Sequence, residues 1–255
     1  MALPATWNNV VVDIHSHILP SIDDGATSWE MAEKMCALAA SDGITHIVAT
    51  PHASHRYHYD REAFGNMLAD LQNRVKGGPM LLLGCDFHLS YDNVKLLFAD
   101  PSRYVIAGTR YILLELSDFG VPPGFGQLLF RMRTEANVLP ILTHPERNPI
   151  MQRHPDHVLS YVDAGCLVQV TANSLTGYWG ERAKDSAVWL LKKNAVHFLA
   201  TDAHGLKGRL PILSAGRDAA ARVIGRKAAS QLVEENPLAV IEGAEIPMSR
   251  QIRLI

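Results

Sequence analysis

Apolar residues in this chain gather in short runs, and between the runs they recur every three or four positions. The runs at 10–14, 44–49, 80–83, 111–114, 139–143, 167–170 and 197–200 predict strands. Most are rich in Val, Ile and Leu on both faces, as strands covered on both sides require. The intervening spacing predicts helices over 29–41, 62–75, 124–137, 157–164 and 181–193, with 218–224 and 228–233 closing the chain. Thr27 and Glu30 predict a capping box for the first helix, and Gly43 its stop. Strands alternating with helices are the pattern of βα units around a parallel sheet. Seven strands suggest an α/β barrel one unit short of the eightfold plan, although periodicity alone leaves an open sheet as the alternative. No linker, charge block or internal repeat interrupts the 255 residues. A single domain over 1–255, with its core at about 10–245, is expected.

Composition adds exclusions. Hydrophobic residues are 47% and charged residues 20%, ordinary for a soluble globular chain. A formal charge of -2 supplies no basic field for nucleic acid or for membrane surfaces. Cys36, Cys85 and Cys166 are too scattered for a disulfide framework or a thiolate metal site and read as reduced core thiols. The opening MALPATWNN has no basic region followed by an apolar run, and no apolar stretch reaches the roughly 20 residues that span a bilayer. A cytoplasmic protein is expected, with no membrane insertion and no nucleic-acid partner. Nothing decides for or against a homo-oligomer.

Twelve histidines do change the picture. The first strand runs into Asp13-Ile14-His15-Ser16-His17, followed by Asp23-Asp24-Gly25. Two residues apart in extended chain, His15 and His17 face the same side and can reach one ion. The next strands end in Thr50-Pro51-His52, in Gly84-Cys85-Asp86 and at Glu115. The last motifs are Thr143-His144-Pro145-Glu146-Arg147 and Thr201-Asp202-Ala203-His204. Taken singly, each has a bland reading: a histidine after a strand is a loop residue, Asp-Asp-Gly a turn, Glu115 a buried ion-pair partner. Recurrence at six of seven strand ends is what argues for a site, because parallel barrels assemble sites at that end. Imidazoles with carboxylates suit Zn, Mn or Fe, and so many donors imply more than one ion. His46, His55, His58, His88, His154, His157 and His197 lack this placement and read as packing, loop or surface residues, with His55 and His58 as candidates to line the cleft.

These residues carry a resemblance. DIHSHILPSIDDG from residue 13, ATPH at 49–52, ELS at 115–117, THPER at 143–147 and TDAH at 201–204 resemble, in order and spacing, the PHP (polymerase and histidinol phosphatase) superfamily. Within it the match is to the CpsB/CapC bacterial tyrosine-protein phosphatases of capsule and exopolysaccharide synthesis, over about residues 10–245. The resemblance implies a distorted (β/α)7, TIM-like barrel of the PHP fold and three metal ions, manganese first among them. His15, His17 and Asp202 would bind one ion, Glu115 and His144 a second, with Asp86 bridging the two. Asp24, His52 and His204 would hold the third, and Arg147 and Arg209 would clamp phosphate. Asp86 departs from the family, which usually has Glu there, one methylene longer. The implied partner is a phosphotyrosine protein, a bacterial tyrosine autokinase.

Rival chemistries find little support. Asp42, Tyr91 and Ala172 stand six places after the three cysteines, so no Cys-x5-Arg phosphatase loop exists. Gly-x-Ser-x-Gly and GxxxxGK[ST] are absent as well. The alternatives that remain are a PHP phosphoesterase acting on a small phosphomonoester such as histidinol phosphate, and an inactive metal-binding scaffold.

Overall fold

The computed structural model describes residues 10–246; the longer N-terminal stretch and the tail at 247–255 lie outside the described residues. The seven apolar runs form seven parallel staves, two of them broken. β1 (Val12–Ser16) is the first. β2 (His46–Ala49) and β3 (His52–Ala53) make the second, and β4 (Met80–Leu83) and β5 (Asp86–His88) the third. β6 (Tyr111–Glu115), β7 (Leu139–Thr143), β8 (Leu167–Thr171) and β9 (Phe198–Ala200) complete the set. His88 therefore lies in a strand, not in the loop expected. The breaks have local causes. Pro51 has no N–H to give to a ladder. Gly84 sits where a Cβ would come within 2.9 Å of Val48 Cγ1.

Hydrogen bonding groups the strands as β1-β2-β4 and β3-β5-β6-β7-β8-β9, all pairs parallel. The broken staves pass from one sheet to the other. The chain after β9 returns to β1: Ser16 pairs with Ala203, Asp202 N–H donates to His15 O at 2.8 Å, and His17 N–H donates to Ala203 O at 2.8 Å. The two sheets thus join into a distorted α/β barrel. Alternate strand positions point to opposite sides. Ile14, Leu113, Ile141 and Phe198 fill the interior. Ile112, Leu114, Leu142 and Leu199 pack against the helical layer.

The outer layer is α1 (Trp29–Ser41), α2 (Arg61–Arg74), α3 (Tyr91–Ala99), α4 (Phe125–Thr134), α5 (Pro149–Arg153), α6 (Asp156–Asp163), α7 (Glu181–Lys192), α8 (Ser214–Ile224), α9 (Arg226–Gln231) and α10 (Glu235–Glu242). Periodicity missed α3, α5 and α10, which are short. The cap of α1 is also corrected: Ser28 Oγ accepts from Met31 N–H at 3.2 Å, while Thr27 turns its hydroxyl to Met31 Sδ and Glu30 pairs with Lys34. Helix α8 starts four residues earlier than its periodicity indicates. Asp42 Oδ2, far back in the chain, accepts the Leu213 and Ser214 N–H groups at 2.7 and 2.9 Å.

Candidate metal centre

The carboxyl ends of the staves converge on one cluster of histidines and carboxylates. All nine expected ligands enter it, in four overlapping groups whose donor atoms lie within 4.8 Å of one another. They are His17, Asp24, His52 and His204; His15, His17 and Asp202; His15, Asp86 and His144; and His52, Asp86 and Glu115. The grouping is denser than the resemblance implies, where Asp86 alone is shared between ions. His17 joins the Asp24 group as well as the Asp202 group, and His52 reaches Asp86 and Glu115. His15 Nε2 is 3.3 Å from Asp202 Oδ1, 3.5 Å from Asp86 Oδ2 and 3.3 Å from His17 Nε2. His52 Nε2 and His204 Nε2 lie 3.3 and 3.4 Å from the same oxygen of Asp24. His52 Nδ1 is 3.1 Å from Asp86, and His144 Nε2 3.7 Å from Glu115.

Local backbone aims these side chains. His144, the first residue beyond β7, and Asp202, the second beyond β9, have φ of 34° and 50°. Non-glycine residues seldom adopt that region, and such strain gathers at functional sites. Gly25 lets the Asp23-Asp24 turn fold back on β1: a Cβ there would meet His17 O at 2.2 Å.

A further set of residues orients the imidazoles of the cluster. Gln169 Oε1 accepts from His15 Nδ1 at 3.0 Å, and Asp23 Oδ2 from His17 Nδ1 at 2.8 Å. The Asp202 carbonyl accepts from His204 Nδ1 at 2.9 Å. In each case Nδ1 is engaged, leaving Nε2 for the centre, as metal-ligating imidazoles require. Sequence reading passed over Gln169 because its strand carries no ligand of its own. It named Asp23 without a role, although an acidic residue six places after a ligand histidine was a usable signal. Asp13, fully buried, accepts from the Thr201 N–H at 2.9 Å and from its hydroxyl, tying β1 to the end of β9. Glu146, also fully buried, accepts from Thr171 N–H and Ser174 Oγ and secures the loop after β8.

Arg147 and Arg209 are beside the cluster, and both grip Asp202 Oδ2 while Oδ1 faces the histidines. Their guanidinium groups lie 4.3 and 5.6 Å from the ring of Trp179. Trp179 is itself held by Nε1–H donation to Asn173 Oδ1 at 2.7 Å. No sequence signal marked Trp179. His55 and His58 are exposed, and Tyr57 instead stacks on His52 with centroids 5.7 Å apart.

Electrostatics show why cations belong here. Burial opposes charge on His15, yet Asp202 and Asp86 outweigh it and push its pKa up to about 9. Burial likewise opposes charge on His52, and Asp24 and Asp86 push it up to about 11. Burial, with His204 nearby, pushes His17 down to about 3. Burial and the Asp86 charge raise Glu115 above the usual carboxylate range. Carboxylates and imidazoles packed this closely need positive charge between them, as protons or as metal ions. Neither oxygen of buried Asp86 has a well-aligned hydrogen-bond donor. The donor set fits Mn, Fe or Zn.

The chain is similar to known proteins over most of its length. The profile of the family described as capsular polysaccharide synthesis, CpsB/CapC, matches residues 11–242. A CapC protein of Staphylococcus aureus is 34% identical over 203 residues, 78% of this chain and 79% of that one. The tyrosine-protein phosphatase YwqE of Bacillus subtilis is 32% identical over 202 residues, again 78% and 79%. A solved structure described as one of YwqE from Bacillus subtilis and CpsB from Streptococcus pneumoniae, unique metal-dependent tyrosine phosphatases, superposes with a TM-score of 0.86 at 28% identity. It covers 92% of this chain and 96% of its own. The phosphotriesterase homology protein of Escherichia coli, at 10% identity and a TM-score of 0.56, shares the fold alone. With its His/Asp motifs in order and residues 11–242 matched, the chain belongs to the CpsB/CapC family.

Proposed function

We propose that this chain is a metal-dependent protein-tyrosine phosphatase and that His15, His17, Asp24, His52, Asp86, Glu115, His144, Asp202 and His204 hold three divalent ions, manganese in the first place. The convergence of nine donors at the strand ends carries the reading. Such ions neutralise phosphoryl charge and acidify water toward neutrality. The protein's own residues supply the rest. Arg147 and Arg209 present forked donors at the edge of the cluster, suited to nonbridging phosphate oxygens. Trp179 stacks on both and limits their rotamers. Asp202 shares its two oxygens between metal ligation and the arginines. A tyrosine leaving group needs little acid assistance, because its pKa is about 10. No cysteine is suited to act as nucleophile: all three are buried, and burial pushes Cys36 and Cys166 up to about 12.

The family's tie to capsular polysaccharide synthesis supports a tyrosine autokinase of that machinery as the protein substrate. Metal content and turnover, measured on the same preparations, test the whole reading. Manganese-loaded protein should hydrolyse a phosphotyrosine peptide well ahead of histidinol phosphate. Chelation should abolish turnover, Mn2+ should restore it, and thiol alkylation should leave it intact. Full activity after exhaustive chelation rules the reading out, and preference for histidinol phosphate reassigns the substrate.

A further inference from the structure

The rim around the centre is not uniformly polar. Tyr91, Phe119, Tyr178 and Trp179 are exposed aromatic residues on segments that leave the carboxyl ends of β5, β6 and β8. Phe119 is 99% exposed and Tyr91 85%. Two rings held this far into water contribute little to folding, and exposed apolar clusters mark binding surfaces. Tyr91 and Phe119 line a groove of about 570 Å3 together with Leu89, Val94, Val121 and Leu128.

The walls of the groove leave the two strands that carry Asp86 and Glu115. One wall begins just after Asp86 and the other just after Glu115. The walls are bonded where they leave the strands: Leu89 N–H donates to Glu115 O at 2.8 Å. The Ser117 carbonyl accepts from Asn148 Nδ2 at 3.1 Å, and Asn148 adjoins Arg147. These bonds place the near end of the groove by the strand ends that carry the cluster, on one of the sides from which a substrate chain can approach. Each residue of extended substrate adds about 3.3 Å, so neighbours of the phosphorylated residue come within its reach.

We infer that the Phe119 groove takes an apolar side chain of the substrate polypeptide close to the phosphotyrosine, and so sets which sequences are dephosphorylated. The inference rests on the protein-phosphatase reading above. A small phosphomonoester occupies the charged centre alone and leaves the groove without a role, whereas a polypeptide brings its own side chains to the rim.

Kinetics of the manganese-loaded protein on three substrates test this. They are p-nitrophenyl phosphate, a phosphotyrosine peptide with Leu and Ile flanking the tyrosine, and the same peptide with Ser at those places. Burial of one apolar side chain should give the Leu/Ile peptide a KM about tenfold below that of the Ser peptide. Phe119→Ser should raise the KM of the Leu/Ile peptide by about the same tenfold factor. It should leave kcat, the Ser peptide and p-nitrophenyl phosphate unchanged. Tyr91→Ser, on the facing wall, should act in the same direction. Equal KM values for the two peptides, or an unaltered KM in both variants, overturn the inference. Turnover of both peptides alike sinks the groove but leaves the phosphatase reading standing. Turnover of p-nitrophenyl phosphate with neither peptide accepted sinks that reading, and the groove with it. A dimer converted to monomer by Phe119→Ser, seen by light scattering, assigns the groove to a second copy of the chain and likewise overturns the inference.

Discussion

Asp202 is where the two halves of the site meet. Its Oδ1 faces His15 and His17, and its Oδ2 faces Arg147 and Arg209. The two arginines are therefore not equivalent to free phosphate grips; each is pre-set by a carboxylate on one side and by Trp179 on the other. Arg147→Ala should lower kcat/KM on a phosphotyrosine peptide by about 10- to 100-fold, the loss of a charge-assisted hydrogen-bond pair. Bound metal should be unchanged, because Arg209 still neutralises Oδ2. Metal analysis beside kinetics checks both halves, and loss of metal in this variant would give Arg147 a structural role instead. Asp86 makes the complementary case. Its carboxylate is shared by two of the four donor groups, and neither oxygen has another well-aligned partner. Asp86→Asn keeps the shape but removes the charge, so the purified protein should carry fewer ions per chain by elemental analysis. An undiminished metal count would show that Asp86 does not bridge.

At the scale of the element, β8 is the instructive strand. It ends in no ligand, yet Gln169 on it fixes the His15 ring and the loop beyond it brings Trp179 over the arginines. Orienting residues of this kind typically carry 10- to 100-fold in metal affinity, so Gln169→Leu should weaken metal retention by about that factor in competition with a chelator. Retention equal to the parent would mean that packing alone orients His15. The same strand shows where legibility in the sequence stops. The strands and the residues that gather at their ends were readable because burial on both faces and recurrence of His, Asp and Glu at run ends are local patterns. Gln169 bonds a histidine 154 positions away, and Asp42 caps a helix 172 positions on. Such partners leave no periodic trace. Helix α5 escaped for a related reason: five residues hold little more than one turn, too little to show a period.

For the molecule as a whole, the barrel has a functional end and a structural end, and His197 belongs to the second. It stands at the start of β9, at the other end of that strand from Asp202, and is buried. Its Nδ1 accepts from Val168 N–H at 3.1 Å, and its carbonyl accepts from Asn236 Nδ2 at 2.8 Å, joining β8, β9 and the C-terminal helices. Nδ1 can accept only in the neutral ring, and burial pushes the pKa down to about 4 from an ordinary 6.5. The unfolded chain thus takes up a proton at a higher pH than the folded one. Stability from this residue is fully present above about pH 6.5, falls as pH drops toward about 4, and is flat below that. The total at stake is about 3 kcal/mol at 1.36 kcal/mol per pKa unit. Metal release at low pH also destabilises the protein, so the measurement must be a difference. Urea midpoints of the manganese-loaded parent and of His197→Asn, taken between pH 7.5 and 4.5, share the metal contribution because the substitution is remote from the ligands. The parent should lose its advantage over His197→Asn as pH falls through this window. Parallel curves for the two proteins would mean that His197 packs without acting as a neutral hydrogen-bond acceptor.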